Sequence, residues 1–496
     1  MWITTAIVSA LVLALLTREA FRTGLWCDEL LVLRAIDRGP FGGLELPGSS
    51  HPPLLRWLLA GASSRWSDGA LRTVPVACAV GTVFAWSALL RRLFDDRWLV
   101  VLVLPSLVFG AAWFGVAFQL LPYALIALFA VLHAWSWFLL LERRNTLATA
   151  IFVGSTLFAA WTHFFGLSIV VADVLVWSAL VALRGAPREL LRCAARTTML
   201  TWLGVLPLVP ILLFYARTDA AFPLDVPVDA LARFALDSRA LFDASTLHRL
   251  SAGSAGWILL YVVFAILAVH AWRRRAAGDG SAVARVLVLL GACSAALPAL
   301  QVYSLVTGHT LYERYVSWSG WSHVVAIVFA CTLLPRGAGR WCARIVAVGS
   351  LAVGLAQFVR GRGAVNYSTQ DWSPVIDELV QRRLTGDAFF VQDFDLWRDD
   401  ANFDRLWFER YGRASLPIVH GAWLRRSEVY SRGLQLDGLD PAVRRVFVFS
   451  SLFDGPWLTR MPRSGANGWR LAGMRVFEHQ LGLALFVRDA DEARPR

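Results

Sequence analysis

The sequence predicts an α-helical polytopic membrane protein of about 11 transmembrane helices, followed by a small C-terminal α/β domain. Three observations predict it. Of the 496 residues, 57% are hydrophobic and only 17% charged, where a water-soluble domain carries about 25% charged residues. Apolar stretches close to the ~20 residues needed to cross a bilayer recur over 2–20, 73–92, 98–116, 120–141, 146–163, 166–184, 197–216, 255–272, 283–306, 315–334 and 343–359. After Arg360 the composition becomes that of a soluble domain.

The first stretch, Trp2 to Thr17, has no basic n-region and no A-x-A cleavage site, so it reads as a retained transmembrane helix. Arginine sets the orientation, because all 48 basic residues are arginine and give a net charge of +12. They cluster in short connections: Arg91, Arg92 and Arg97; Arg143 and Arg144; Arg184, Arg188, Arg192 and Arg196; Arg273, Arg274, Arg275 and Arg285; Arg336, Arg340 and Arg344. All five fall on one face, which the positive-inside rule makes cytoplasmic. Clusters placed between apolar runs fit bilayer orientation and argue against a nucleic-acid partner.

The opposite face receives a first loop of about fifty residues (21–72), connections near Gln119 and His163, a loop from Arg217 to Arg249, the Gly308–Arg314 connection and the region beyond Arg360. Long outer loops are exempt from the arginine count. Domain 1–360 is thus expected to be transmembrane and 361–496 extracytoplasmic. In the latter, Ser373-Pro374 reads as a helix start, with Val375, Ile376, Leu379 and Val380 as its apolar stripe. Ala388–Val391, Arg445–Phe449 and Leu481–Val487 read as buried strands. This outer domain has no cysteine, which excludes a disulfide framework there. The Asn366-Tyr367-Ser368 triplet matches a glycosylation sequon, a pattern that chance often produces.

Two adjacent carboxylates, Asp28 and Glu29, follow the first apolar segment. Charge placed there is costly unless it is used or solvated. Adjacent positions of a helix diverge by about 100°, so the two carboxylates cannot both address one atom. The positions three and four residues after them hold Leu31, Val32 and Leu33, which offer no local ion pair. Asp28 suits an N-cap and a catalytic group equally, and Leu31 excludes a full capping box. In Ser50-His51-Pro52-Pro53-Leu54 the prolines fix the entry of an apolar helix expected to reach Trp66. His51 there is either simply exposed at a helix start or placed to hydrogen-bond a phosphate.

Taken in order, Asp28-Glu29, His51-Pro52-Pro53-Leu54 and Ala70-Leu71-Arg72-Thr73-Val74-Pro75 resemble the N-terminal half of GT-C membrane glycosyltransferases of the protein O-mannosyltransferase and aminoarabinose-transferase type. Gln119-Leu120-Leu121-Pro122-Tyr123-Ala124-Leu125 is similar to that family's Glu-x-Arg-Pro-Tyr-x-Leu stretch. Thr162-His163-Phe164-Phe165-Gly166 is similar to its Thr-His-Tyr-Phe segment, and Tyr312-Glu313-Arg314-Tyr315 to its late Arg-Tyr element. The resemblance covers residues 20–335. Two departures stand out: Gln119 occupies a position that carries an acid in many relatives, and Leu121 one that carries arginine.

The resemblance implies inverting transfer of a sugar from a polyprenyl-phosphate donor to a hydroxyl of a lipid, glycan or protein acceptor, on the outer face of a bacterial cell membrane. Such a transfer needs a base within reach of the acceptor proton and positive charge at the departing phosphate. Asp28 is expected to be the base or a base-positioning metal ligand, with Glu29 as its alternate. Arg314 is expected to grip the phosphate in a fork, assisted by His51. Gln119, Tyr123, His163 and Tyr312 are expected to line the cavity. A divalent cation can be expected only at Asp28, because Gln119 removes a second acid. Two other readings are a non-catalytic sugar-lipid-binding scaffold and a transporter, for which Asp173 is the one acid well inside an apolar stretch. Polar groups gathered at one face fit the transporter poorly.

Overall fold

The computed structural model describes residues 2–22, 52–62, 65–109, 111–143, 145–182, 188–211, 254–280, 282–292, 318–361, 373–382, 386–392, 442–450, 468–476 and 482–488, together with Leu25, Glu29, Val32, Leu33, Ala35, Ile36, Leu213 and Leu384. The chain forms two compact units. One comprises Met1–Arg22 and Val32–Gly363, the other Thr23–Leu31 and Ala364–Arg496.

The first unit is a bundle of apolar helices. Among the described residues, four helices are long and apolar enough to cross a membrane: Trp2–Arg22, Asp68–Leu93, Tyr123–Arg143 and Gly337–Ala356. Shorter apolar helices include Arg97–Val108, Thr146–Thr162, Ala282–Ala292 and Gly320–Thr332. Each of the eleven apolar stretches expected from the sequence contains a described helix. In chain order the described helices of this unit begin with α1 (Trp2–Arg22), α2 (Leu54–Leu59), α3 (Asp68–Leu71), α4 (Thr73–Leu93), α5 (Arg97–Val108), α6 (Ala111–Val116), α7 (Tyr123–Arg143), α8 (Thr146–Thr162), α9 (Leu167–Ala182), α10 (Arg188–Val205) and α11 (Ser254–Ala276). There follow α12 (Ala282–Ala292), α13 (Gly320–Thr332) and α14 (Arg336–Gly361).

Two elements differ from their sequence expectation. The 98–116 stretch is broken, with α5 ending at Val108 and α6 starting at Ala111. The helix expected to run to Trp66 stops at Leu59, because Gly61 takes φ +80° and turns the chain. Left-handed geometry of that kind ends helices and suits glycine.

Side-chain caps fix several starts. Asp96 accepts from the Trp98 N–H at 2.9 Å, opening α5, and Asn145 accepts from the Ala148 N–H at 2.9 Å, opening α8. Packing then sets polarity. Thr5 and Ser87 hydroxyls lie 2.7 Å apart, while Arg72 at the head of α4 donates to the Ala20 carbonyl at 3.4 Å. These two contacts make α1 and α4 antiparallel. Arginines from separate connections meet acids at one end of the bundle: Arg92 with Glu142 at 2.5 Å, Arg285 with Asp95 at 3.2 Å, and Arg344 with Asp96 at 2.7 Å. The helices α4 and α7 have their Arg91–Arg92 and Arg143 ends there. Their opposite ends, at Thr73 and Tyr123, form the other pole of the bundle.

The second unit is a four-stranded mixed sheet of order β1-β2-β4-β3, made of β1 (Ala388–Gln392), β2 (Arg445–Ser450), β3 (Trp469–Val476) and β4 (Gly482–Arg488). Parallel pairing joins β1 to β2, and antiparallel pairing joins β2 to β4 and β4 to β3. Val446, Phe447, Val448, Ala484 and Phe486 are buried, as is the stripe Val375 and Leu379 of helix α15 (Ser373–Arg382). Glu378 on that helix pairs with Arg382 and with Arg475 of the edge strand β3. Asp387 closes the turn before β1 by accepting from the Leu384 N–H at 2.7 Å, and it lies 3.3 Å from the Arg445 guanidinium.

Candidate active site

The pole of the bundle opposite the arginine pairs collects residues from four separate segments. His163 terminates α8 in extended conformation (φ −152°, ψ 140°), and its N–H donates to the Ala159 carbonyl at 3.1 Å. Its side chain then opens the next turn, since the Phe165 N–H donates to its Nδ1 at 3.1 Å. The Gly166 N–H completes the turn by donating to the His163 carbonyl at 2.7 Å. Only glycine fits there, because a Cβ at residue 166 would lie 2.2 Å from the Ala159 oxygen. The short 3₁₀ turn Phe164–Gly166 thus hands the chain from α8 to α9 with the imidazole held between them.

A ring nitrogen that accepts from a backbone N–H carries no proton in the neutral imidazole. The proton of a neutral His163 therefore sits on Nε2, a buried donor. The ring stacks on Phe165 at 4.8 Å between centroids and lies 5.9 Å from the Tyr123 ring. Tyr123 begins α7, and both residues are buried.

Gln119 is fully buried in the connection before α7. Its Nε2 donates to the Gly115 carbonyl at 3.1 Å, a bond that a carboxylate could not make. Its neighbour Phe118 lies under the guanidinium of Arg72, 5.4 Å from the ring centroid. Arg72 is only 2% exposed. A second arginine, Arg56 on α2, is 4% exposed, and the adjacent Trp57 packs against Trp161 at 5.3 Å, two residues before His163. A guanidinium is rarely buried unless paired. The sequence reading gave neither arginine a role. Arg72 falls inside one of the family-like motifs, yet nothing local in its sequence shows its burial.

Of the residues predicted from sequence, Gln119, Tyr123 and His163 meet at this pole. Glu29 is fully buried, on a helical residue of the second unit. Asp28, His51, Tyr312 and Arg314 lie outside the described residues. Among the described residues, no three His, Cys, Asp or Glu side chains group as a metal site. The engaged amide of Gln119 adds no carboxylate ligand there.

Comparison with known proteins gives a likeness of overall chain course at low identity. The crystal structure of ArnT from Cupriavidus metallidurans bound to undecaprenyl phosphate aligns with 100% of this chain and 99% of its own, at 13% identity and a TM-score of 0.44. The same enzyme in the apo state aligns over the same shares at 12% identity and a TM-score of 0.46. The Archaeoglobus fulgidus oligosaccharyltransferase, tethered to an acceptor peptide, aligns with 82% of this chain and 63% of its own, at 11% identity and a TM-score of 0.40. No protein-family model matches the sequence, and no curated protein matches it.

Proposed function

We propose that the chain is an integral-membrane inverting glycosyltransferase, taking sugar from a polyprenyl-phosphate donor and passing it to a hydroxyl acceptor at the extracytoplasmic face. The observation that supports this reading is the gathering of Gln119, Tyr123, His163 and buried Arg72 at the pole of the bundle away from the arginine pairs. The C-terminal end of α1 lies at that same pole, and Asp28, Glu29 and His51 follow it in the sequence.

In the proposed reaction the acceptor oxygen attacks the anomeric carbon of the donor, and the bond from that carbon to the phosphate oxygen breaks. Asp28 takes the acceptor proton. Arg314 and His51 neutralise the departing phosphate. His163 contributes an Nε2–H donor, and Tyr123 walls the same space. A divalent cation held at Asp28 would supply further positive charge near the phosphate. Glu29, its neighbour in the sequence, is the alternate to Asp28.

The test is transfer of label from a series of radiolabelled polyprenyl-phosphate sugars by membranes carrying the chain. Asp28→Asn should abolish transfer while leaving retention of the polyprenyl phosphate intact. An unchanged transfer rate in Asp28→Asn would remove Asp28 from the mechanism. No transfer by the unsubstituted chain from any donor, with lipid still bound, would favour the non-catalytic sugar-lipid-binding scaffold.

A further inference from the structure

The middle of the bundle holds a polar cluster far from the pole just described. His133 of α7 lies 2.8 Å from Asp173 of α9 through Nε2 and Oδ1, and 2.8 Å from the Thr156 hydroxyl of α8 through Nδ1. The indole N–H of Trp137 donates to the same Asp173 oxygen at 3.1 Å. The Thr156 hydroxyl donates to the Phe152 carbonyl at 2.9 Å, so it accepts from His133 Nδ1–H. One proton is therefore left to share between His133 Nε2 and Asp173 Oδ1. Either the pair is ionic or both groups are neutral, and in each case its net charge is zero.

The second carboxylate oxygen remains. Asp173 Oδ2 is buried and has no hydrogen-bond partner among the described residues. The same is true of the indole N–H groups of Trp318 and Trp321. All three residues line one cavity of about 20 Å³, bounded also by His133 and Trp137. That is room for a water molecule and little more. An orphaned acceptor and two orphaned donors around such a space match the bonding capacity of water, which donates to the one and accepts from the others. A bare cation would leave both indoles unsatisfied, and an apolar filler would leave all three groups so.

We propose that this cavity is a water-binding site, in which one buried water donates to Asp173 Oδ2 and accepts from the indole N–H groups of Trp318 and Trp321. The water extends the cross-link of α7, α8 and α9 to the head of α13. Trp318 stands four residues after Arg314 in the sequence. The inference rests on the interior of the bundle alone and is independent of the proposed transfer.

The experiment is X-ray radiolytic footprinting of the full chain in lipid nanodiscs in ¹⁸O-labelled water, read by mass spectrometry. Radicals formed from a bound water label the side chains touching it. Trp318 and Trp321 should take up label at least about fivefold faster than Trp86, which is as buried as Trp318. Protection of both at the Trp86 level would overturn the site. Trp321→Phe keeps an aromatic ring and removes one donor, and labelling of Trp318 should then fall at least twofold. Asp173→Leu should reduce it to background with the rest of the pattern kept. Undiminished Trp318 labelling in a folded Asp173→Leu chain would show that the carboxylate does not hold the water.

Discussion

The Phe165 N–H donates at 3.1 Å to the Nδ1 of His163, on whose ring Phe165 also stacks. The histidine therefore both caps a turn with one nitrogen and presents the other as a donor. An asparagine side chain places its oxygen near the position of Nδ1 and reaches no further. His163→Asn is expected to keep the turn and the folded yield while lowering sugar transfer by about a hundredfold, within the range for loss of a positioned proton donor. His163→Ala is expected to lose both. Transfer rates and thermal unfolding of the two variants, measured on the same preparations, separate the roles. Full activity in His163→Asn would make the residue a turn former only.

The turn also fixes what residue 166 must be. A methyl group on Gly166 would press on the Ala159 oxygen and carbonyl carbon at 2.2 and 2.3 Å, backbone atoms that cannot swing aside. Gly166→Ala should cost about 1–3 kcal/mol, as overpacking does, and it should tilt the imidazole away from Tyr123. The expected result is a lower unfolding temperature together with lower transfer. Gly154→Ala, where nothing lies within 4 Å of the added carbon, should be close to neutral in both measurements.

The sequence marks Gln119, Tyr123 and His163 because each sits in a short motif at the end of an apolar stretch, where hydropathy and motif order agree. The cluster of His133, Thr156 and Asp173 escapes such a reading. Its members are 40 and 23 residues apart in the chain and share no motif, so only helix packing brings them together. The β-sheet shows the same division. The strands Ala388–Gln392, Arg445–Ser450 and Gly482–Arg488 carry runs of apolar residues that identify them. The edge strand Trp469–Val476 holds two arginines and a glycine and is largely exposed, so its composition resembles a loop. Arg72 was legible as a charge beside a span, but its burial depends on Ala20 and Phe118, which are distant in sequence.

Gln119 poses a test of the metal question. Its amide N–H₂ bonds the Gly115 carbonyl at 3.1 Å. A carboxylate in that place would put two acceptors together in a buried site. Gln119→Glu is accordingly expected to destabilise the connection before α7 and to lower transfer at least tenfold. If a second acid suffices to build a cation site with Asp28, added Mg²⁺ or Mn²⁺ should restore part of the loss in Gln119→Glu and change the unsubstituted chain less. A rate in Gln119→Glu equal to that of the unsubstituted chain, with or without metal, would remove the amide bond from consideration.

The last expectation concerns His133 and Asp173, which face each other at 2.8 Å in the bundle interior with side chains 7% and 9% exposed. Removing one partner strands the other in a medium of low dielectric constant, which costs about 3–5 kcal/mol for a buried pair. Thr156 and Trp137 cannot compensate, because each already addresses the pair with the one group it has to offer. His133→Leu and Asp173→Leu should each lower the unfolding temperature in detergent sharply. The double substitution should be more stable than the sum of the two losses allows, since two leucines leave neither partner of the pair stranded. A coupling energy of at least about 1 kcal/mol from this double-mutant cycle is expected, with the sign of mutual stabilisation. Additive losses would mean that the two groups are held by their surroundings separately, and that the short distance between them contributes nothing to the fold.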